Sequence, residues 1–115
     1  MKPLLVVDAA NVVGSVPDGW WRDRAGAAER LRDALRGRDD VEVVLVVEGK
    51  ARTVSSIDDV RVVAAPGEGD DTIVEVVRTE GLGRSVTVVT ADRELRQRVT
   101  ALGAEVAGPT SVPRR

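Results

Sequence analysis

Leu4-Leu5-Val6-Val7 runs directly into Asp8-Ala9-Ala10-Asn11, and an apolar run ending on acidic residues recurs twice in the chain. Val62-Val63-Ala64-Ala65 leads through Pro66-Gly67 into Glu68-Gly69-Asp70-Asp71, and Val86-Thr87-Val88-Val89 leads into Thr90-Ala91-Asp92. Short continuous apolar runs suit strands that are covered on both faces, as in a parallel sheet. If these runs are parallel strands of one sheet, their acidic ends share its carboxyl edge, where open α/β sheets bind ligands. Carboxylates gathered there repel one another unless a cation sits between them. A divalent ion with oxygen ligands, Mg²⁺ or Mn²⁺, is the simplest candidate. Such a site suits metal-assisted phosphodiester hydrolysis.

Outward from these runs, strand and helix patterns alternate. Strands are expected at residues 4–8, 41–47, 60–64, 86–89 and 104–107. Helices are expected at 22–36, with Ala28, Leu31 and Leu35 inward, at 71–80, with Ile73, Val76 and Val77 inward, and at 92–102, with Leu95, Val99 and Leu102 inward. Residues 9–21, with Gly14, Pro17, Asp18 and Gly19, read as a loop. Residues 50–59 read as a loop with one helical turn. Residues from 109 onward, ending in an arginine pair, read as a short mobile tail after one domain at 1–108. This alternation predicts an α/β fold with helices on both faces of a parallel sheet and right-handed crossovers.

Composition narrows the chemistry. The 115 residues suffice for a single core. Trp20 and Trp21 are the only aromatic residues, so Val, Leu, Ile and Ala must build the interior. There is no Cys, hence no disulfide, thiolate metal site or Cys nucleophile, and no His, hence no Ser-His-Asp triad. Net charge is −2, which argues against a nucleic-acid coat protein but not against a nuclease with an acidic site. The start of the chain lacks the pattern of a signal peptide, and no apolar run approaches membrane-spanning length. A cytoplasmic location without membrane attachment is the expectation.

Asp8, ending a buried strand, can bind a metal directly, and the amide of Asn11 can hold a ligated water or a phosphate oxygen. The alternative is a loop-starting Asp and an Asn bonded to its own backbone. Glu68, Asp70 and Asp71 precede a helix, where acids also serve as caps. Thr72 and Glu75 form a possible capping box of their own, which leaves the acids available for a ligand. Asp71 is taken as the more inward of the pair. Asp92 is well placed to be an N-cap, a strong alternative to a ligand role, with Arg93 placed to meet a phosphate or a neighbouring acid. Glu48, at the second strand's end, is either a peripheral ligand or a polar loop residue. Arg22, Arg24, Lys50 and Arg52 fall near the same edge, where an RNA backbone would need positive charge. Trp20 is a candidate for stacking on bases, although a tryptophan pair also serves to close a core.

The string Val6-Val7-Asp8-Ala9-Ala10-Asn11-Val12-Val13-Gly14, followed by Pro17-Asp18-Gly19-Trp20-Trp21-Arg22-Asp23-Arg24, resembles the NYN domains of the PIN-like nuclease superfamily. The bacterial YacP-like branch is the best match. Gly69-Asp70-Asp71-Thr72-Ile73 and Val89-Thr90-Ala91-Asp92-Arg93-Glu94-Leu95 resemble the later acidic motifs, in the expected order. The resemblance implies a three-layer α/β/α domain with strand order 3-2-1-4-5. It also implies a metal-dependent ribonuclease, acting within RNA that is single-stranded or structured. Asp8, Asp71 and Asp92 would form the acidic metal site, with Asn11 and Asp70 beside them. The chain is short between its second and third strands and has no excess of basic over acidic residues. Both departures leave room for a partner that presents the RNA, the ribosome or another protein, or for lost activity.

The main rival is a non-catalytic RNA- or protein-binding module that keeps the fold. A phosphotransferase of the haloacid-dehalogenase type would need an Asp where Ala10 stands. A receiver domain would need an acidic pair at the first strand's end and a strand-end lysine late in the chain, and neither is present.

Overall fold

The structure is a computed structural model that describes residues 1–112. Its sheet has five parallel strands: β1 (Leu4–Asp8), β2 (Glu42–Val47), β3 (Val60–Ala64), β4 (Val86–Val89) and β5 (Glu105–Ala107). They lie in the order β3-β2-β1-β4-β5, as the sequence led us to expect. β1 is central: Val6 stands beside Val44 on one side and Val88 on the other.

Side-chain alternation along these strands supplies two separate cores. Val7, Val43, Leu45 and Val47 face α1 (Ala9–Gly14) and α2 (Arg24–Ala34), which contribute Ala9, Val12, Val13, Ala28 and Leu31. Leu4, Val6, Val44, Val46 and Val88 face α3 (Gly69–Glu80) and α4 (Arg93–Thr100), which contribute Ile73, Val76, Val77, Leu95 and Val99. Each fully buried Val or Leu contributes about 1.5–3 kcal/mol, so many small residues stand in for the missing Phe and Tyr. Because every strand is parallel, every crossover returns the chain to the same sheet edge. The carboxyl ends of β1, β2, β3 and β4 therefore lie side by side.

Four local expectations are corrected. Residues 9–14 are helical rather than loop: the Asp8 side chain caps α1, and Ala9, Val12 and Val13 are its buried positions. α3 starts at Gly69, so Thr72 lies inside it and the Thr72–Glu75 box does not cap the helix; Glu75 pairs with Arg78 instead. α4 stops at Thr100, and Leu102, expected to face inward, is 44% exposed. The expected mobile tail begins as a 3₁₀ turn (Pro109–Ser111), and Val112 is buried in the core beside α1 and α2. The terminal pair Arg114-Arg115 lies outside the described residues. Among the described residues, no helix is long and apolar enough to cross a membrane.

Candidate active site at the carboxyl edge

Asp8 is the last residue of β1 and is only 5% exposed. Two donors hold its carboxylate. The Thr90 hydroxyl donates to Oδ2 at 2.9 Å, and the Asn11 backbone N–H donates to Oδ1 at 3.3 Å. Burial nevertheless dominates and pushes the carboxyl up to about 6, with the charges of Asp70 and Glu48 adding to the rise. Thr90, fully buried just past β4, also accepts from the Asp92 N–H at 3.1 Å. Asn11 accepts from the Ala91 N–H through Oδ1 at 2.8 Å. The start of α1 is thereby tied to the loop before α4. The Asn11 side-chain carbonyl is thus engaged by backbone, which leaves the NH₂ of its amide for a ligand.

Glu48 follows β2 and reaches across to α3, where its Oε1 accepts from the Gly69 N–H at 2.9 Å. A Cβ at position 69 would lie 2.7 Å from that oxygen, so glycine is what permits the approach. Asp70, half-buried in the first turn of α3, has its carboxyl raised by burial first, then by Asp92, Glu68 and Glu48, with Arg98 opposing. Asp92 caps α4, accepting from the Leu95 N–H at 2.9 Å. Its charge is still felt at Asp70.

The structure corrects which acid of the 70/71 pair turns inward. Asp71 is 84% exposed on its side chain and pairs with Arg98 at 3.1 Å. Helix phase explains this. At about 100° per residue, Asp71 lies about 160° around α3 from buried Ile73, whereas Asp70 lies only about 60° away. Asp70 takes the inward place. Two further residues lie at this edge: Glu48, which the sequence left undecided, and Thr90, which it did not single out. Both follow directly after apolar strands, the same position that drew attention to Asp8.

The basic candidates are exposed side chains. Lys50 and Arg52 are exposed on the 3₁₀ turn Gly49–Thr53, immediately after Glu48, and Arg93 is exposed at the start of α4. Arg22 and Arg24 are also exposed and lie over the rings of Trp21 and Trp20, at 5.8 and 5.4 Å. Trp20 is half-buried against the α1–α2 core and meets Trp21 edge to face at 5.8 Å. Trp20 thus serves the packing role weighed for it while keeping part of its ring accessible; Trp21 is the more exposed of the pair, at 49%.

No family model and no curated protein matches this sequence. Among solved structures, the chain is similar to the crystal structure of Rae1 (YacP) from Bacillus subtilis. The likeness has a TM-score of 0.63, covers 93% of this chain and 69% of that one, and runs at 15% sequence identity. The fold is YacP-like.

Within this YacP-like fold, the donor chemistry of the carboxyl edge fits a hard divalent cation. It offers only carboxylate oxygens, together with a hydroxyl and an amide. Asp8 and Asp70, both raised from the ordinary carboxylate value, are the groups a cation would relieve. Among the described residues, however, no three acids are arranged to hold a metal ion. Asp8, Glu48 and Asp92 each accept from an internal donor, and Asp71 pairs with Arg98. A carboxylate oxygen has more than one lone pair, so these bonds leave capacity for a ligand.

Proposed function

We propose that this protein is a metal-dependent ribonuclease that hydrolyses phosphodiester bonds within RNA strands. The observation that carries the proposal is the gathering of Asp8, Glu48, Asp70 and Asp92 at one sheet edge, with Asp8 buried among them. Carboxylates in such number repel one another unless a cation lies between them, and such perturbed acids cluster at functional sites. The YacP-like fold supports the same reading through the family resemblance of the acidic motifs.

Asp8, Asp70 and Asp92 would hold Mg²⁺ or Mn²⁺, with Glu48 beside them. When bound, the ion supplies an acidified water and neutralises charge developing at phosphorus. The chain's own residues do the rest. Thr90 and the Asn11 N–H fix the Asp8 carboxylate in place. The Asn11 amide NH₂ can donate to a phosphate oxygen. Arg93, Lys50, Arg52 and Arg22 supply positive charge around the acidic centre for the flanking phosphates. With no excess of basic over acidic residues in the chain, an RNA-presenting protein or the ribosome would supplement this grip.

The test is incubation of pure protein with single-stranded and structured RNAs in Mn²⁺, Mg²⁺ or EDTA, with Asp8→Asn and Asp70→Asn as controls. Cleavage in either metal, lost in EDTA and in both variants, is the expected result. RNA binding without cleavage under every condition would make the chain a binding module instead.

A further inference from the structure

A cavity of about 140 Å³ opens beside the acidic edge, between α1, α2 and the turn after β2. Its walls are mainly apolar: Ala9, Ala10, Val13, Ala28 and Ala51, with the Trp20 indole. Three polar features join them, the Arg24 guanidinium, the Glu48 carboxylate and the backbone at Gly49. Glu48 is shared: it lines this cavity and also raises Asp8 and Asp70.

We propose that this cavity is a nucleobase subsite for the RNA strand whose phosphate lies at the acidic edge. The inference rests on the ribonuclease reading and deepens it. Apolar-walled clefts with a few convergent polar groups suit small aromatic ligands. Single-stranded RNA offers bases that can be splayed out, stacked on an indole or a guanidinium plane, and hydrogen-bonded at their edges. Trp20 and Arg24, already 5.4 Å apart from ring centre to guanidinium carbon, provide both kinds of stacking surface. Glu48 adds an acceptor for a base amino or imino group. Alanines at positions 9, 10, 28 and 51 keep the space open, since a larger side chain at any of them would enter it.

Trp20 gives the cavity its own spectroscopic reporter. In Trp21→Phe protein, Trp20 is the sole source of tryptophan fluorescence. That protein, kept in EDTA so that no strand is cut, is titrated with a short oligoribonucleotide, the same strand with one internal abasic position, and a nucleoside monophosphate. Saturable quenching by the intact strand, at least about tenfold weaker for a strand abasic at the bound position, is expected. The abasic position is moved along the strand to find it. Ala10→Leu places a bulkier side chain from an exposed helical position into the cavity and should abolish the quenching in protein that still melts cooperatively.

Equal quenching by intact strands and by every abasic strand would overturn the subsite, as would undiminished quenching in Ala10→Leu. A mononucleotide that binds as tightly as the strand would assign the cavity to free nucleotides and overturn the proposal in this form. Cleavage is scored separately. Base-dependent quenching in a protein that never cuts RNA would uphold the subsite and defeat the nuclease reading, whereas metal-dependent cleavage without quenching would do the reverse.

Discussion

Replacing Asp8 by Asn in metal-free protein should raise its stability at neutral pH and leave it unchanged or lower near pH 4. Burial and its acidic neighbours lift the Asp8 carboxyl from 3.8 to about 6. At about 1.4 kcal/mol per pKa unit, ionised Asp8 opposes folding by about 3 kcal/mol once the pH is above that range. The native state binds the proton more tightly than the unfolded chain. Wild-type stability is therefore highest below pH 4 as far as this group is concerned, and falls as pH rises to 6. The amide of the Asp8→Asn variant would not titrate. It has only one acceptor oxygen, however, whereas the Thr90 hydroxyl and the Asn11 N–H use both oxygens of the carboxylate. Losing one of those bonds costs about 1 kcal/mol, leaving a net gain of about 2 kcal/mol. For a domain of this size that is a rise in Tm of about 8 °C. Thermal melts followed by circular dichroism from pH 4 to 7.5, in EDTA, measure the difference directly. The gap between variant and wild type should open between pH 4 and 6 and then stay level. A gap that does not change with pH, or a variant less stable throughout, would refute the burial argument for Asp8.

Mn²⁺ or Mg²⁺ should raise the Tm of the wild type, since a ligand specific for the native state stabilises it; Asp8→Asn and Asp70→Asn should reduce that shift, and Asp71→Asn should leave it nearly intact. An equal reduction in Asp71→Asn would return position 71 to the site. Gly69→Ala should miss the gain of about 0.4–1 kcal/mol that alanine ordinarily brings to a helical position, because its Cβ displaces Glu48 from the Gly69 N–H at a cost of about 1 kcal/mol; a urea midpoint raised by that full gain would show that Glu48 is not held there. Arg22→Ala, Lys50→Ala and Arg52→Ala should each weaken RNA binding and reduce the salt slope by about 1 for every phosphate no longer held, whatever the RNA sequence. Unchanged slopes in filter-binding or anisotropy titrations would place the strand on another face.

The strands and the acidic edge were legible because both depend on local chemistry. A run such as Leu4 to Val7, apolar at every position, suits few environments other than a strand buried on both faces. An acid directly after it must lie at the strand's end. Asp8, Asp92 and the group at 68–71 could be assigned to one edge as soon as the strands were taken as parallel. What lay beyond the sequence is rotational and cross-chain. Asp70 and Asp71 are adjacent and chemically identical, and choosing between them needs the first residue of α3, which follows from Gly69 meeting Glu48 from another strand. The helix at residues 9–14 was hidden for a similar reason: its cap is Asp8, the residue the strand had already claimed. Trp20 could be placed neither on the surface nor in the core until α1 and α2 closed around it. Periodicity and composition determine which residues form elements and which ends are acidic. Only the packed chain decides which way an acid at a helix start turns and which donors hold it, because those donors arrive from segments up to 82 residues away, as Thr90 does for Asp8.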